Sequence, residues 1–247
     1  SNLPERGSSQ VLLVSATIPD EVRDLASRVC RSGYELLDCV GDGSPTQQAI
    51  QQFYSVCPGF LLFTALRNAI ADDVAISPTR HKIIVFFPTA RLAAFAAHLF
   101  REQLKMKIYE LHARCEAAMR IVTQHEFSQC TSGVLFTSGV SHRGMDYPDI
   151  SLVIQVLAPE SREHYVHRVG RTARGGKAGR ALLLLLDREA DAGFLSAISD
   201  LPVVRFPGEA RLLYDRGSVG AALASAAWAP AGPLPGAAPG AFASLLR

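Results

Sequence analysis

The chain has 247 residues and a formal net charge of +2 at pH 7, enough for one large domain or one domain plus a fragment. So small a net charge excludes a globally basic nucleic-acid binder, so any polyanion site must be a local patch. Cys30, Cys39, Cys57, Cys115 and Cys130 show neither paired metal-ligand spacing nor disulfide-scaffold density, so no metal site is expected and they read as thiols of a reducing compartment.

The opening residues Ser1 to Gly7 lack an apolar signal core and an arginine-rich transit pattern. Val11-Leu12-Leu13-Val14 is a continuous apolar run, as in a strand buried on both faces. Pro19-Asp20-Glu21 opens a helix through about Val29, and Tyr34 to Val40 fits a short strand. Gly41 to Pro45 is a linker signal, and Phe60 to Ala71 has helical periodicity. A regular alternation follows. Strands are predicted over Lys82–Phe87, Lys107–Leu111, Gly133–Thr137, Leu152–Leu157 and Arg180–Leu186, with helices over Ala90–Gln103, Glu116–Phe127 and Arg162–Val169. This is the pattern of an α/β parallel sheet with helices on both faces. Residues 217 to 246 carry no charged side chain, and Pro230, Pro233, Pro235 and Pro239 interrupt them. They fit a low-complexity end or a short Ala-rich helix over Val219–Ala229 anchored by Trp228. No apolar run approaches the ~20 residues that span a bilayer, and no membrane partner is expected.

Between the last two predicted strands lies the most polar segment of the sequence, Tyr165 to Gly176. Arg168, Arg171 and Arg174 stand at i, i+3 spacing, which on a continuous helix places them on one face. Guanidinium groups are permanently charged, planar forks suited to phosphate oxygens. A solvated basic helix is the competing assignment. Ligands of open α/β sheets gather beyond the carboxyl ends of the strands. The arginine segment follows the 152–157 strand by one short helix and Asp146 follows the 133–137 strand by a loop, so both are expected on one carboxyl-terminal rim.

His167-Arg168-Val169-Gly170-Arg171-Thr172-Ala173-Arg174 resembles the arginine-finger motif of the DEAD-box RNA helicases of superfamily 2. It stands in family order behind Ser15-Ala16-Thr17, Ile84-Val85-Phe86-Phe87-Pro88-Thr89 and the run from Ser138 to Pro148. The resemblance extends from about Val11 to about Leu186 and is nearest in wording to mitochondrial and nucleolar members. It implies a RecA-like fold for 45–208, preceded over 1–44 by the end of a first RecA-like domain with its linker and followed over 209–247 by an Ala/Pro/Gly-rich extension. It also implies ATP with Mg²⁺, held mainly by the first domain, with Arg171 and Arg174 as catalytic fingers on the γ-phosphate. Asp146 and Gly144 would contact the nucleotide, Asp146 through the ribose hydroxyl. Thr89, Arg120 and Ser138 would bind RNA without reading its sequence, on another part of the same rim. Ser15, Thr17, His167 and Arg168 would couple the domains. The implied partners are RNA, the protein's own first RecA-like domain and a ribonucleoprotein assembly.

Some positions depart from the family pattern. Ser138-Gly139 stands for Thr-Asp, His112-Ala113 for His-Gly, and Ala117 for a glutamine one turn before Arg120. These soften the RNA side while the arginine segment is intact. No Gly-x-x-x-x-Gly-Lys-Thr loop or Asp-Glu-Ala-Asp motif occurs, so this chain alone is expected to hydrolyse no ATP. Two functions remain open: the second RecA-like domain of an ATP-dependent RNA helicase, or a non-catalytic helicase-like scaffold or RNA-binding subunit.

Overall fold

The computed structural model describes residues 10–14, 20–37, 50–139, 147–214 and 219–220. The chain divides into two compact units, residues 1–44 and 45–247. In the first, helix α1 (Asp20–Val29) forms as predicted. Val11 to Val14 form no strand and are exposed, Leu12 at 79% and Val14 at 86%, which corrects the reading of a doubly buried strand. A strand exists only beside a neighbour that takes its hydrogen bonds, and no other described residue of this unit is extended into one. Tyr34 to Leu37 likewise have no regular structure, and the rest of that predicted strand, with the linker after it, lies outside the described residues.

The second unit is a seven-stranded sheet whose paired strands are all parallel, ordered β3-β4-β2-β5-β6-β1-β7. The strands are β1 (Ile50–Cys57), β2 (Lys82–Phe86), β3 (Ile108–Leu111), β4 (Gly133–Thr137), β5 (Leu152–Val156), β6 (Gly179–Leu186) and β7 (Val203–Arg205). Between them run α2 (Leu62–Ile76), α3 (Ala90–His98), α4 (Ala117–Gln129), α5 (Arg162–Val169), the short α6 (Asp187–Asp191) and α7 (Phe194–Ala197), and finally α8 (Glu209–Leu213). Strand residues alternate between two cores. Ile83, Val85, Leu182 and Leu184 pack with α2, α3 and Leu212 of α8, whereas Ile84, Phe86, Leu183 and Leu185 pack with Phe127 of α4 and Tyr165 and Val169 of α5. Helices therefore cover both faces, and the apolar runs in the sequence reflect burial on both sides. This is the RecA-like α/β fold expected.

Caps fix where the helices begin. Thr89 Oγ1 accepts the Leu92 amide at 3.1 Å to start α3, and Ser161 Oγ accepts the His164 amide at 3.3 Å to start α5. The helix predicted over 90–103 is α-helical only to His98 and widens into a π turn over Leu99–Gln103. Arg101, in that turn, donates from Nε and Nη2 to the Ile108 carbonyl at 2.9 and 2.7 Å, covering the outer edge of β3. Helix α8 begins where composition places the extension, yet it is fastened to the sheet. Asn68 Nδ2 of α2 donates to the Leu212 carbonyl at 2.8 Å, and Glu209 Oε1 accepts Ser55 Oγ at 3.0 Å and the Val56 amide at 2.9 Å.

Strand β1 has no counterpart in the sequence reading. Two of its polar residues are inside: Gln52 is buried and its Oε1 accepts the Tyr165 hydroxyl at 3.1 Å, and Ser55 is buried against Glu209. A strand that meets its neighbours through hydrogen bonds shows no apolar run to find.

The arginine segment does not lie where expected. Helix α5 returns across the sheet toward the amino ends of the strands, as a crossover helix must, and the chain that leaves it is pinned there. Thr172 Oγ1 donates to the carbonyl of Ile150, two residues ahead of β5, at 2.5 Å, and Lys177 pairs with Asp149. The segment thus stands at the amino edge of β5 and β6, correcting the single carboxyl-terminal rim. The two edges meet closely at Gly179, the first residue of β6. A Cβ there would collide with Thr172 Oγ1 and stand 2.7 Å from the Ala173 amide nitrogen. Gly179→Ala is therefore expected to cost about 1–3 kcal/mol of unfolding free energy through overpacking. Urea denaturation checks this, and an unchanged midpoint would mean that the segment yields freely.

Candidate functional site

Helix α5 ends at Val169, so Arg168, Arg171 and Arg174 do not share one helical face. Gly170 caps the helix with ordinary dihedrals, and the chain then turns through left-handed Ala173 (φ 57°) and Gly175 (φ 64°). Each of the last two arginines is tied back by its Nε. Arg171 Nε donates to the His167 carbonyl and Arg174 Nε to the Gly170 carbonyl, both at 3.2 Å, and both side chains are half-buried. These parallel tethers fix two guanidinium stems before any anion arrives, which lowers the ordering cost of binding one.

Arg168 is different. It is 5% exposed, its Cζ lies 5.4 Å from the centre of the Phe86 ring, and its Nε and Nη1 have no hydrogen-bond partner. Burial pushes its pKa down, partly offset by Glu160. Gln155, whose Oε1 is also unpartnered, pairs in register with Phe86. A buried charge without a close counter-ion is costly, and Glu160 offsets that cost only in part. His167, half-buried, lends its carbonyl to Arg171.

The other site residues divide into two sets. Thr89 and Ser138 stand past the carboxyl ends of the adjacent strands β2 and β4, tied together where the Phe87 amide donates to the Thr137 carbonyl at 2.8 Å. Ser138 is buried, and Thr89 is occupied as the cap of α3. Arg120 sits in the first turn of α4, half-buried, with an unpartnered Nε. Ser15, Thr17, Gly144 and Asp146 lie outside the described residues. The RNA candidates therefore occupy the carboxyl edge of the sheet and the arginine candidates its amino edge.

Sequence reasoning missed one cluster. At the end of β3, Glu110 Oε1 is 2.7 Å from His112 Nε2, and Cys115 Sγ is 3.3 Å from His112 Nδ1. Burial raises the Glu110 pKa, but the hydrogen bond from His112 and the charge and hydrogen bond of Arg101 outweigh it and hold the carboxyl below its usual value. Burial pushes the Cys115 thiol up. The residues come from a strand, the position after it and the following turn, so no helical or strand period brings them together.

The RecA-like sheet thus carries two tethered arginines after the crossover helix and a helix-capping threonine at the opposite edge. The chain belongs to the helicase conserved C-terminal domain family, which matches residues 47–176. Among curated proteins, the DEAD-box ATP-dependent RNA helicase 26 of Oryza sativa subsp. japonica is 40% identical over 195 residues, 78% of this chain and 36% of its own length. The mitochondrial ATP-dependent RNA helicase MSS116 of Phaeosphaeria nodorum is 39% identical over 208 residues, 83% of this chain and 37% of its own. The chain thus spans a little over a third of these relatives. Among solved structures, Mss116p bound to single-stranded RNA and AMP-PNP superposes with a TM-score of 0.68 at 27% identity, covering 80% of this chain and 41% of that one.

Arg168→Met keeps the apolar stem and removes the unpaired charge. It should leave unfolding free energy unchanged or raise it by about 1–2 kcal/mol. A loss greater than about 1 kcal/mol in the same denaturation assay would show that the guanidinium holds the fold together instead.

Proposed function

We propose that this chain is the second RecA-like half of an ATP-dependent DEAD-box RNA helicase. It closes on a first RecA-like domain over ATP and Mg²⁺, and Arg171 and Arg174 complete the active site. The observation that carries the reading is the contrast within one segment: two tethered, half-buried arginines follow a third that is buried and unpaired. Phosphoryl transfer depends on positioning and on stabilising charge that develops between the phosphorus and its oxygens. Guanidinium groups fixed by their Nε atoms suit that task, because little ordering is left for the moment of reaction. Arg168 and His167 serve the closed state, with Arg168 taking a carboxylate from the facing domain. Gly144 and Asp146 contact the nucleotide, and Ser15 and Thr17 link its presence to RNA. ATP and RNA each favour the same closed state, and each thereby strengthens the binding of the other. The mitochondrial relatives extend the proposal to a mitochondrial location.

RNA lies along Thr89, Arg120 and Ser138, where contacts go to phosphates and sugars and carry no sequence information. Gly139, Ala113 and Ala117, which depart from the family there, favour the second reading: a helicase-like scaffold that keeps the fold and has lost the motor.

The two readings separate in a form of the protein that includes a first RecA-like domain. Arg171→Ala and Arg174→Ala should each lower RNA-stimulated ATP turnover by on the order of 10³ while changing ATP affinity little, since the fingers act on the transition state. Steady-state turnover with a fluorescent-nucleotide titration measures both, and parental rates in both variants would favour the scaffold.

For the RNA face, Arg120→Ala should weaken single-stranded RNA binding equally for all sequences and flatten its salt dependence by about one charge. Gly139→Asp with Ala117→Gln should strengthen it. Fluorescence anisotropy at several salt concentrations tests both, and affinity indifferent to Arg120 would move the RNA off α4.

A further inference from the structure

The Glu110, His112 and Cys115 cluster takes no part in the proposed function. It lines an open groove of about 670 Å³ along the outer edge of β3, between α3 with its π turn and the start of α4. The His112 ring is buried and holds its neighbours on opposite nitrogens. Glu110 Oε1 is 2.7 Å from Nε2, whereas Cys115 Sγ is 3.3 Å and the Arg114 amide 3.2 Å from Nδ1. A backbone amide can only donate, so Nδ1 is the acceptor and Nε2 carries the proton that Glu110 receives. Arg101 Nη1 holds the other oxygen of that carboxylate at 2.5 Å. The order is a thiol, a base facing it, and an acid behind the base that fixes its tautomer. Cys130 gives the contrast: it is also half-buried, but its Sγ bonds to the Phe127 carbonyl at 3.2 Å instead of to an imidazole. Burial pushes both thiols up, so neither gives much thiolate unaided. A thiol of high pKa is the stronger nucleophile once its proton is taken, and only Cys115 has a base within reach to take it.

We propose that Cys115 is a thiol–disulfide exchange site whose substrate is a small anionic disulfide, glutathione disulfide. Cys115 Sγ attacks one sulfur of the disulfide, and a new sulfur–sulfur bond forms as the old one breaks. The thiol proton passes to His112 Nδ1, the Arg114 amide contact there lengthens, and Glu110 stabilises the imidazolium. The electron pair of the broken bond leaves on a glutathione thiolate, which takes the proton from Nδ1. Cys115 is thereby oxidised to a mixed disulfide and one half of the reagent is reduced to glutathione. A second glutathione reverses the step. His112 is the base and Glu110 its positioning residue. Charge selects the substrate, because the carboxylates of glutathione outnumber its ammonium group. Helix α3 starts at the carboxyl ends of the strands, so Arg91, its second residue, stands where β3 ends, and Arg114 directly precedes Cys115. Both line the groove and are exposed. Against them at that end stands the exposed Glu116, since Glu110 is held by Arg101 and His112. Glu102 and Glu126 belong to the far ends of the π turn and α4.

The test uses the whole reduced chain, exposed to glutathione disulfide and sampled by peptide mass spectrometry. Cys115 should acquire the glutathionyl group on the order of a hundredfold faster than Cys130. His112→Asn should bring Cys115 down to about the rate of Cys130. Arg91→Gln with Arg114→Gln should slow glutathione disulfide by about tenfold and leave cystamine, a cationic disulfide, at least as fast as before. Glu110→Gln should slow both disulfides by the same factor and move the His112 Nε2 proton resonance upfield, which separates a lost hydrogen bond to the ring from a general loosening of the groove. Equal rates at Cys115 and Cys130, or a His112→Asn chain as fast as the parent, would overturn the site. A double arginine variant that slowed neither disulfide, or both equally, would overturn the choice of glutathione. Should His112→Asn prevent folding, the comparison of Cys115 with Cys130 in the unaltered chain decides.

Discussion

The bond from Thr172 to the Ile150 carbonyl, with Gly179 beside it, is the constraint on which the arginine segment depends. Thr172 is 1% exposed and its hydroxyl is the tie between the chain leaving α5 and the approach to β5. It holds only because the first residue of β6 has no side chain to intrude. The backbone of the segment is thus clamped by two neighbouring strands, and the tethers at Arg171 and Arg174 start from a fixed frame. Without the clamp, the left-handed turns at Ala173 and Gly175 would have little to impose them, since a non-glycine residue gains nothing from that conformation on its own.

Arg168 expresses the same arrangement in electrostatic form. Its side chain climbs from the last turn of α5 back toward Phe86, at the far end of β2, as helical side chains lean toward their own amino terminus. A residue whose backbone belongs to the arginine edge therefore delivers its charge toward the opposite side of the sheet, beside Gln155. The two orphaned groups give a polar point to the same core that takes the hydrogen bond between Gln52 and the Tyr165 hydroxyl.

The elements legible in the sequence were those with one dominant signal. Strands β2, β4, β5 and β6 are apolar on both faces, and Asp20 and Glu21 after Pro19 mark a helix start, so their bounds match within a residue or two. Strand β1 was missed because its interior contacts are polar, and Val11–Val14 was misread because apolar residues alone do not create a strand without a neighbour. The chemistry was legible as composition and not as placement. Three arginines at helical spacing suggested one face, but Gly170 ends the helix between the first and second. The rule that ligands gather at carboxyl ends put the segment on the wrong edge, because it ignores how far a crossover helix carries the chain back. The Glu110, His112 and Cys115 cluster depends on how β3 ends and how α4 is entered, which no sequence period records.

The sheet order has a consequence for how the chain is made. Strand β1 is the first of the seven to be synthesised, yet it lies between β6 and β7, and Ser55 bonds to Glu209, 154 positions later. Neither of its edges has a native neighbour until β6 has been made. At roughly 5–20 residues per second that interval lasts several seconds. During it, the polar Gln51, Gln52 and Ser55 keep an unpaired strand from being an apolar one. The polarity that hid β1 from sequence reasoning also guards it against pairing with a stranger before its own partners arrive.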